Sequence, residues 1–396
     1  MALRKFFPHD VRVEKEARAL AAAGHDVSLL CLGRPDEPTR EQVGPIDVHR
    51  IHRRERYSAP YRTYKTVRYL LTLHDIIWDE ELAAFVDRVD ADALHIHDLP
   101  LVRTGLDVAD RRGLPLVADL HENYPEAAKQ WRKGMALPRK TVQRTFTPIS
   151  RLKRLERDDV QRADHVLAIT EEGRDHYIND CGAGPDTVHV VSNTVELETF
   201  ADTTPIEGFD DEFVVSYVGS FGPHRGLETA IKAMPALVDA VPNARLLLVG
   251  SAEEDVYEQS LRDLVADLGI EDHVTFTGWV DFEQVPGYMA ASDVCFVLHR
   301  ENPHTATTVP HKLFQYMALS KPVVVTDVGP LGRIVREYDA GRVIDDGAVD
   351  EMATAVAELA DDALRARLGA NGRRAVEETY NWQADADTLL DVYDAL

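Results

Sequence analysis

The sequence predicts an α/β protein of two doubly wound, Rossmann-like domains that face each other across a cleft. Three observations support this prediction: a length of 396 residues, an alternation of short apolar runs with longer helical patterns, and a polar break near the middle of the chain. A chain of this length favours two domains over one. Apolar runs that alternate with amphipathic segments indicate parallel sheets covered by helices.

The first half of the chain predicts a strand–helix series. Its clearest helix begins after Asp10, a suitable N-cap, and stops at Gly24. Only residues 1–7 precede this helix, and they are short and charged for a central strand. Two alternatives stay open: the first strand is degenerate, or the true start lies upstream of Met1. The strands predicted in this half are 26–31, 46–51, 93–96, 116–119, 165–169 and 188–191.

The polar, aperiodic segment 197–212 predicts a linker between an N-terminal domain, 1–196, and a C-terminal domain, 213–376. A final helix, 377–396, is expected to pack back on the N-terminal domain. In the second half the predicted strands are 213–218, 245–249, 274–277, 293–298 and 322–326. The predicted helices there are 227–241, 256–268, 282–291 and 310–319, followed by a helical tail from Val349.

The composition is strongly acidic, with 68 Asp and Glu against 44 Lys and Arg and a net charge of −24. Lysine is scarce, with 10 residues against 34 arginines. Such a surface suits a chain that stays hydrated in concentrated salt, where self-repulsion is screened. The alternative is an ordinary acidic protein from an Arg-biased genome. The acidity argues against nucleic-acid binding.

The cysteines Cys31, Cys181 and Cys295 lie far apart and form no metal-spaced pair. Their odd number is typical of reduced thiols in a cytoplasm. No apolar run is long enough for a membrane helix, and the start of the chain does not predict a secretory signal. We therefore expect a cytoplasmic protein.

Two stretches, 50–68 and 128–157, are basic and carry aromatic residues in an otherwise acidic chain. Anionic headgroups at the inner face of the membrane, or a phosphorylated acceptor, would explain them. Intrachain pairing with nearby acids is the alternative. Their basic residues are Arg50, Arg53, Arg54, Arg56, Arg62, Lys65, Arg68, Lys129, Arg132, Lys133, Arg139, Lys140, Arg144, Arg151, Lys153, Arg154 and Arg157. Their aromatic residues are Tyr57, Tyr61, Tyr64, Trp131 and Phe146.

A glycine-rich segment joins a predicted strand to a predicted helix after Val218. Its glycines, Gly219, Gly222 and Gly226, allow the backbone to approach a ligand closely. The helix N-terminus offers free N–H groups to an anion, and Arg225 adds a charged fork suited to phosphate. A plain turn is the alternative. The spacing is not G-x-G-x-x-G, which disfavours NAD.

The predicted helix 310–319 carries Lys312 and Gln315 three residues apart, and therefore on one face. That face would offer a cation to a diphosphate and an amide to ribose hydroxyls. The alternative is an amphipathic helix whose polar residues face water.

These segments, taken in order, resemble the retaining glycosyltransferases of the GT-B fold known as group 1 or family 4. The C-terminal half matches through the ordered segments 217–227, 246–250, 274–280 and 310–325. The N-terminal half matches through 8–17, which includes His9, and through 24–27, 95–98, 119–122 and 191–193. The resemblance covers nearly the whole chain. It implies an enzyme that moves a sugar from a nucleotide diphosphate sugar to an acceptor such as a lipid-linked glycan precursor.

The resemblance also implies the site residues. His121, Arg225 and Lys312 would be catalytic, with His121 near the transferred sugar and Arg225 at the diphosphate. For His97 and Asp98, an acceptor-side role and a capping role both stay open, and Glu122 joins the acceptor side. The donor site would comprise Gly219, Ser220, Gly222, Arg225, Gly226, Gly250, Trp279, Val280, Thr307, Thr308, Lys312 and Gln315.

The chain departs from the family pattern at three of these positions. The family's Glu-x7-Glu pair falls on Thr307 and Gln315, and its first loop arginine falls on Ser220. Lys312 is expected to replace the lost charge. The departures keep two alternatives open, a nucleotide-sugar epimerase of the same fold and a non-catalytic binding subunit. We expect no metal or other cofactor, because Asp98 stands beside His97 without a further ligand at metal spacing. The family is thought to let the leaving phosphate take the acceptor proton, so the reaction would not require a carboxylate pair.

Overall fold

A computed structural model describes residues 1–8, 10–52, 57–132, 137–252 and 255–396, without the side chains of 137–139. His9 of the resemblance motif, and Arg53, Arg54, Arg56 and Lys133 of the basic stretches, lie outside the described residues, as does the side chain of Arg139. The described chain divides into two compact units, Met1–Ser192 with Asp385–Leu396, and Asn193–Ala384.

The N-terminal unit contains a sheet of eight described strands in the order β3-β4-β2-β1-β5-β6-β7-β8. All neighbours pair in parallel except β3 with β4, which are antiparallel. The strands are β1 Ala2–Phe6, β2 Ser28–Leu32, β3 Arg40–Val43, β4 Ile46–Ile51, β5 Leu94–His97, β6 Leu116–Leu120, β7 His165–Ala168 and β8 Val188–Val190.

The helices of this unit cover the sheet through buried apolar faces. Asp10 caps the first helix as predicted, since its side chain accepts a hydrogen bond from the Val13 N–H at 3.4 Å. The helices are α1 Val11–Ala22, α2 Ala59–Thr72, α3 Ile76–Val89, α4 Leu99–Arg112, α5 Tyr124–Trp131, α6 Leu137–Phe146, α7 Ile149–Val160 and α8 Glu171–Asp175. A π-helical turn, His176–Asp180, follows α8 directly.

The segment before α1, for which the sequence left two alternatives open, forms the central strand β1. It pairs in parallel with β2 on one side and β5 on the other. Ala2 and Leu3 are fully buried, whereas Lys5 and Phe6 are exposed. The strand is short because only its first residues are apolar and enclosed.

The C-terminal unit contains a sheet of six described strands, all parallel, in the order β11-β10-β9-β12-β13-β14. The strands are β9 Phe213–Val218, β10 Ala244–Val249, β11 Val274–Gly278, β12 Val294–Val297, β13 Val323–Thr326 and β14 Gly341–Ile344. The helices are α9 Leu227–Ala240, α10 Asp255–Leu268, α11 Val285–Ala290, α12 His311–Ala318, α13 Pro330–Tyr338, α14 Val349–Glu358 and α15 Asp362–Glu378. Both units therefore have the predicted parallel α/β architecture.

The units meet in sequence at Ser192, ahead of the predicted boundary at 196. The segment predicted as a linker belongs to the C-terminal unit, where Phe200 is buried and the Ile206 N–H donates to the Gly287 carbonyl at 3.1 Å. The last helix, α16 Trp382–Asp394, contains the second boundary, and from Asp385 onward it belongs to the N-terminal unit.

No helix among the described residues combines the length and apolar character needed to cross a bilayer.

Candidate functional site

The carboxyl ends of β5 and β6 bring three side chains together in the N-terminal unit. His97 ends β5, and Asp119 and His121 stand at the end of β6. Asp119 Oδ2 lies 2.9 Å from His97 Nδ1 and 2.5 Å from His121 Nε2. His97 and Asp119 are fully buried. Because these strands are parallel neighbours, their carboxyl ends lie at the same edge of the sheet. Proteins of this fold class bind their ligands at that edge.

Arg12 fixes the carboxylate at the centre of this group. Its Nε and Nη2 donate to Asp119 at 3.0 and 2.6 Å, and its Nη1 donates to the Val191 carbonyl at 2.7 Å. Burial alone would raise the pKa of Asp119, but the charges of Arg12 and His121 hold it well below its usual range. Asp119 is therefore a buried carboxylate with a fixed orientation.

His121 is an imidazolium at neutral pH. Burial alone would lower the pKa of His121, but the Asp119 and Asp98 carboxylates outweigh it and raise the pKa to about 9. Asp98 Oδ1 lies 3.4 Å from His121 Nδ1, and its Oδ2 lies 2.9 Å from Lys5 Nζ. Asp98 has a φ of 67°, a strained left-handed conformation for this residue type. Asp98 is the N-cap residue of α4, but its side chain makes no cap hydrogen bond to that helix.

A second buried acid lies behind this group. Glu16 Oε1 lies 3.0 Å from Arg12 Nε, and Glu16 Oε2 lies 3.4 Å from His95 Nε2. Burial raises the pKa of Glu16 to about 8 in spite of Arg12. His95 Nδ1 in turn lies 2.9 Å from the Tyr393 hydroxyl. Four residues able to ligate a metal ion lie close together here, namely Glu16, His95, His97 and Asp119. Arg12 already supplies positive charge beside them.

Glu122 follows His121 in the loop after β6. Its carbonyl oxygen accepts a hydrogen bond from the Tyr177 hydroxyl at 3.2 Å. The next residue, Asn123, caps α5 by accepting from the Glu126 N–H at 3.3 Å. The predicted acceptor-side residues therefore stand at two neighbouring strand ends of one unit.

The glycine-rich segment of the C-terminal unit is shaped by backbone contacts that exclude side chains. A Cβ atom on Gly226, which has a φ of 69°, would lie 2.0 Å from the Leu298 carbonyl oxygen. A Cβ atom on Gly250, with a φ of 126°, would lie 2.3 Å from the Gly219 carbonyl oxygen. Gly222 is extended and would accept other residues on conformational grounds. Close backbone packing therefore holds the turn that leads into α9.

Arg225 ends the 3-10 turn Pro223–Arg225 immediately before this helix. Its Nη1 donates to His299 Nε2 at 2.8 Å. Burial and the charge of Arg225 lower the pKa of His299 well below its usual value, so this histidine is neutral and accepts the bond. The same two causes lower the pKa of His224 to about 3. Within the described part of the chain Arg225 forms no ion pair.

Lys312 supplies a second positive group beside the same loop. Its Nζ lies 3.7 Å from the centre of the Tyr217 ring, and a Cβ atom added to Gly219 would lie 2.6 Å from this Nζ. No described carboxylate pairs with this amine. Burial, followed by the charge of Arg225, lowers the pKa of Lys312 well below its usual value. The negative charge of an arriving anion would oppose both effects and raise the pKa of Lys312.

Among the remaining predicted donor residues are Thr307, Thr308, Gln315, Trp279 and Val280. The Thr307 and Thr308 hydroxyls both donate to the His304 carbonyl, at 3.2 Å. Gln315 is half-buried, and no described residue is hydrogen-bonded to its side chain. Trp279 is 70% exposed, and Val280 is half-buried.

Ser220 is exposed, and its carbonyl accepts a hydrogen bond from the Tyr217 hydroxyl at 2.9 Å. The Ser220 side chain carries no charge. Among the described residues, Arg225 and Lys312 therefore supply the positive charge beside this loop.

Sequence reasoning missed several members of both groups. In the N-terminal unit it did not assign roles to Arg12, Glu16 or Asp119, although Asp119 ends a predicted strand. In the C-terminal unit it missed His224 and His299, which surround Arg225. The position of His299 just past β12 was the available signal, since strand ends carry ligands in this fold class.

Two family models match this chain. The model described as "Glycosyltransferase Family 4" matches residues 10–199, and the model described as "Glycosyl transferases group 1" matches residues 201–375. Together they span nearly the whole chain.

One curated relative is similar along nearly the whole chain, and another over less than half of it. A phosphatidyl-myo-inositol mannosyltransferase of Mycolicibacterium smegmatis is 25% identical over 386 residues, covering 96% of this chain and 88% of the relative. A GDP-mannose-dependent alpha-(1-6)-phosphatidylinositol monomannoside mannosyltransferase of Mycobacterium tuberculosis is 34% identical over 173 residues, covering 43% of this chain and 44% of the relative.

Solved structures show the same fold. A sucrose-phosphate synthase from Thermosynechococcus elongatus superposes with a TM-score of 0.77 at 22% identity, covering 98% of this chain and 93% of that chain. HepE from Anabaena, solved in complex with UDP, superposes with a TM-score of 0.72 at 16% identity, covering 100% and 99%.

Proposed function

Because this chain belongs to the group 1 glycosyltransferases, nucleotide-sugar-dependent enzymes of the GT-B fold, we propose that it transfers a sugar with retention of anomeric configuration to a phosphate-bearing, lipid-linked acceptor. Membership favours transfer over the two alternatives from the sequence, an epimerase and a non-catalytic subunit.

One observation carries the donor assignment: two cations without carboxylate partners among the described residues adjoin a glycine-rich loop at a helix N-terminus. Arg225 donates to neutral His299, and Lys312 contacts the Tyr217 ring. An isolated cation that is partly withdrawn from water is unfavourable unless an anion pairs with it. The arrangement therefore supports a bound diphosphate as the missing partner.

The same groups would lower the barrier to transfer. When the bond between the anomeric carbon and the phosphate oxygen breaks, the electron pair stays on the diphosphate and the sugar becomes cationic. Arg225, Lys312 and the N-terminus of α9 then face the growing negative charge. The acceptor hydroxyl attacks from the face that the diphosphate leaves, and its proton passes to the departing phosphate oxygen. The neighbouring histidines are neutral and add no competing charge.

His121 would serve the acceptor side as a hydrogen-bond donor. With a pKa of about 9 it is protonated at neutral pH and is unsuited to remove a proton. Its Nε2 is held by Asp119 at 2.5 Å, whereas its Nδ1 lies 3.4 Å from Asp98, beyond the usual range of a strong hydrogen bond. Nδ1–H is thus the donor that a sugar hydroxyl could take over.

The lipid-linked acceptor is supported by the surface of the two basic stretches. Large apolar side chains are exposed in the second stretch, at 46% for Trp131 and 38% for Phe146, and just after the first stretch, at 58% for Leu71. Arg151 in α7 donates to the Leu70 and Phe146 carbonyls at 2.7 and 2.6 Å, which joins the ends of α2 and α6. Exposed apolar residues among cations are typical of a surface that contacts an anionic membrane.

Some of the basic residues do pair within the chain, as the alternative interpretation predicted. Lys65 pairs with Glu80 at 2.7 Å, and Lys129 and Lys153 pair with Glu126 at 3.2 and 2.7 Å. Intrachain pairing therefore accounts for part of the positive charge. It does not account for the exposed apolar side chains, which favour a membrane surface.

We further propose that the enzyme works at the inner face of the membrane of a salt-adapted cell and needs no metal cofactor for transfer. The net charge of −24 supports the first point. The cations at the loop support the second, since they can take the role that a metal ion plays at a diphosphate.

The experiment is a binding screen followed by product analysis. The full chain in concentrated KCl is tested by thermal shift with UDP, GDP, ADP and their sugars, with and without a chelator. The donor that binds is then incubated with vesicles containing phosphatidylinositol, and NMR reads the anomeric configuration of the product. Retention on a lipid product supports the proposal. An inverted product, a free rearranged sugar, or a folded protein that binds no nucleoside diphosphate would refute it.

A further inference from the structure

A second group of side chains able to ligate a metal ion lies in the N-terminal unit, outside the residues assigned to donor or acceptor. Glu156 belongs to α7, His176 begins the π-helical turn after α8, and Cys181 follows that turn. Glu156 and Cys181 are buried, and His176 is half-buried. Glu156 and His176 are 20 residues apart, so their spacing in the sequence does not indicate a site.

The three ligand atoms form a triangle of suitable size. His176 Nε2 lies 3.3 Å from Glu156 Oε2 and 3.7 Å from Cys181 Sγ, and Sγ lies 3.8 Å from the same oxygen. Zinc bonds of about 2.0–2.1 Å to nitrogen and oxygen and about 2.3 Å to sulfur place tetrahedral ligand atoms roughly 3.3–3.6 Å apart. The triangle therefore fits one ion in contact with all three atoms.

Direct hydrogen bonding accounts poorly for the same atoms. A ring nitrogen carries one hydrogen or one lone pair and makes one good hydrogen bond. Three polar atoms surround His176 Nε2, since Asn123 Nδ2 lies 3.4 Å away in addition to the Glu156 and Cys181 atoms. The distances from Nε2 to Glu156 Oε2 and Asn123 Nδ2, 3.3 and 3.4 Å, exceed the usual range of about 2.7–3.2 Å for a nitrogen donor, and the 3.7 Å distance to Cys181 Sγ lies within the longer reach of hydrogen bonds to sulfur. Several groups thus converge on one point without forming a short pair.

The other ring nitrogen of His176 is oriented as in metal sites. Nδ1 lies 2.9 Å from Asp180 Oδ2 within the same turn. Metal-bound histidines almost always donate their second ring N–H to a carboxylate, a carbonyl or a water. In the tautomer that carries its hydrogen on Nδ1, Nε2 has the free lone pair that a metal ion needs, and it lies beside Glu156 and Cys181.

We propose that Glu156, His176 and Cys181 bind a zinc ion whose fourth position is taken by water. A thiolate and a carboxylate neutralise the divalent charge, which suits a buried site. On binding, the Cys181 sulfur gives up its proton to solvent and bonds to the metal as the thiolate. Asp180 is a positioning residue that orients the His176 ring.

The place of this site gives it a structural role beside the acceptor loop. Tyr177, next to His176, donates to the Glu122 carbonyl at 3.2 Å. Asn123 contacts His176 itself. An ion held here would join α7 and the π-helical turn beside the loop that carries His121. The sequence expectation that transfer needs no metal cofactor is a separate matter, because this ion would not touch the diphosphate.

Cobalt substitution tests the site without depending on activity. Untagged full-length protein is stripped with a chelator and titrated with Co²⁺. We expect one equivalent to give intense visible bands of a tetrahedral ion and an ultraviolet thiolate-to-cobalt charge-transfer band, both lost on adding Zn²⁺. Cys181→Ser should lose the charge-transfer band. Cys31→Ser and Cys295→Ser, which also remove buried thiols, should keep it.

A second variant keeps the test decisive if Cys181→Ser does not fold. Asp180→Asn leaves every ligand in place and changes an exposed side chain, so we expect one bound ion with about 10- to 100-fold weaker affinity. The proposal is overturned if the unmodified protein binds no stoichiometric Co²⁺ or binds it without the charge-transfer band. It is also overturned if that band persists in folded Cys181→Ser, or if Asp180→Asn binds with unchanged affinity.

Discussion

The Nε2 atom of His121 lies 2.5 Å from Asp119 Oδ2, and Arg12 holds that carboxylate from its other side. The folded pKa of His121, about 9, exceeds its ordinary value of 6.5. The pair therefore stabilises the fold fully below pH 6.5 and loses that contribution as pH rises through 9. At about 1.4 kcal/mol per pKa unit, the contribution is of the order of 3 kcal/mol.

Replacing Asp119 by asparagine should weaken this dependence, since Asp98 remains near His121. We expect the pKa of His121 in Asp119→Asn to fall below 9 and the decline in unfolding free energy between pH 6.5 and 9 to flatten. The variant should also lose about 3–5 kcal/mol, because Arg12 is left buried with a weaker partner. NMR titration of His121 and urea unfolding at several pH values measure both effects.

Asp87→Asn is the matched control, since it breaks an exposed ion pair with Arg112 at 2.7 Å. Exposed pairs contribute about 0–1 kcal/mol, so little should change. An unaltered His121 titration in folded Asp119→Asn would contradict the assignment of the carboxylate as its partner.

Arg225 should be required for nucleotide binding. We expect Arg225→Ala to weaken the affinity for the nucleoside diphosphate by about 10- to 100-fold, the size of one or two lost charge-assisted hydrogen bonds. Titration calorimetry measures it. Arg367→Ala, which removes an exposed arginine paired with Asp339, should bind normally. Equal affinities in the Arg225→Ala and Arg367→Ala proteins would remove the basis of the donor site.

Lys312 should oppose stability in the free protein and favour binding. Burial and Arg225 lower the pKa of Lys312, and a bound diphosphate would raise it, so binding should take up protons at pH values between the two pKa values. Affinity should therefore fall as pH rises between the pKa of the free protein and that of the complex. Calorimetry in buffers of different ionisation enthalpy counts the protons.

The variant Lys312→Met tests both the effect on stability and the effect on binding. We expect it to bind the diphosphate more weakly, to take up fewer protons, and to raise the Tm of the free protein by about 2–4 °C, the shift that about 1 kcal/mol produces in a domain of this size. Lys232→Met, on the exposed face of α9, should change none of these. Unchanged proton uptake would show that Lys312 does not face the diphosphate.

The sequence predicted the regular elements better than the contacts between them. Strands Ile46–Ile51 and Phe213–Val218 match their predicted bounds, because each is an apolar run bounded by turns. β3 (Arg40–Val43) was missed because its residues are polar and no buried apolar face marks it. β14 (Gly341–Ile344) was missed because a glycine and an arginine occupy half of it.

The candidate sites show the same limit. The glycine loop with Arg225 was predictable because its chemistry lies within a few consecutive residues. The contact of Arg225 with His299 spans 74 residues, and that of Arg12 with Asp119 spans 107. Such pairs depend on which strands are neighbours, and a single sequence does not specify strand order.

Gly226 should be required by both conformation and space. Its φ of 69° strains any other residue, and a Cβ would lie 2.0 Å from the Leu298 carbonyl oxygen. We expect Gly226→Ala to cost about 3 kcal/mol or more. Gly113→Ala is the control, because Gly113 has a φ of 67° and a Cβ added there would meet no described atom within 4 Å. It should cost about 1 kcal/mol, and equal losses in urea unfolding would show that the clash is relieved.

The exposed apolar residues in and beside the two basic stretches should determine the affinity for a membrane. Leu71, Trp131 and Phe146 would enter the interface of an anionic bilayer, and burying one such side chain contributes about 1.5–3 kcal/mol. We expect the combined variant Leu71→Ser, Trp131→Ser, Phe146→Ser to sediment with phosphatidylinositol vesicles at least about tenfold less. Its activity on a water-soluble acceptor should be kept.

Val256→Ser with Phe282→Ser is the control, since these side chains are 81% and 69% exposed but lie in the C-terminal unit. It should sediment like the unmodified protein. Because the cations also contribute, binding should weaken as KCl is raised, but the apolar part should persist once the charges are screened. If the triple variant binds vesicles as the parent does at every salt concentration, these three side chains do not contact the membrane, and the basic stretches then act only through their charge.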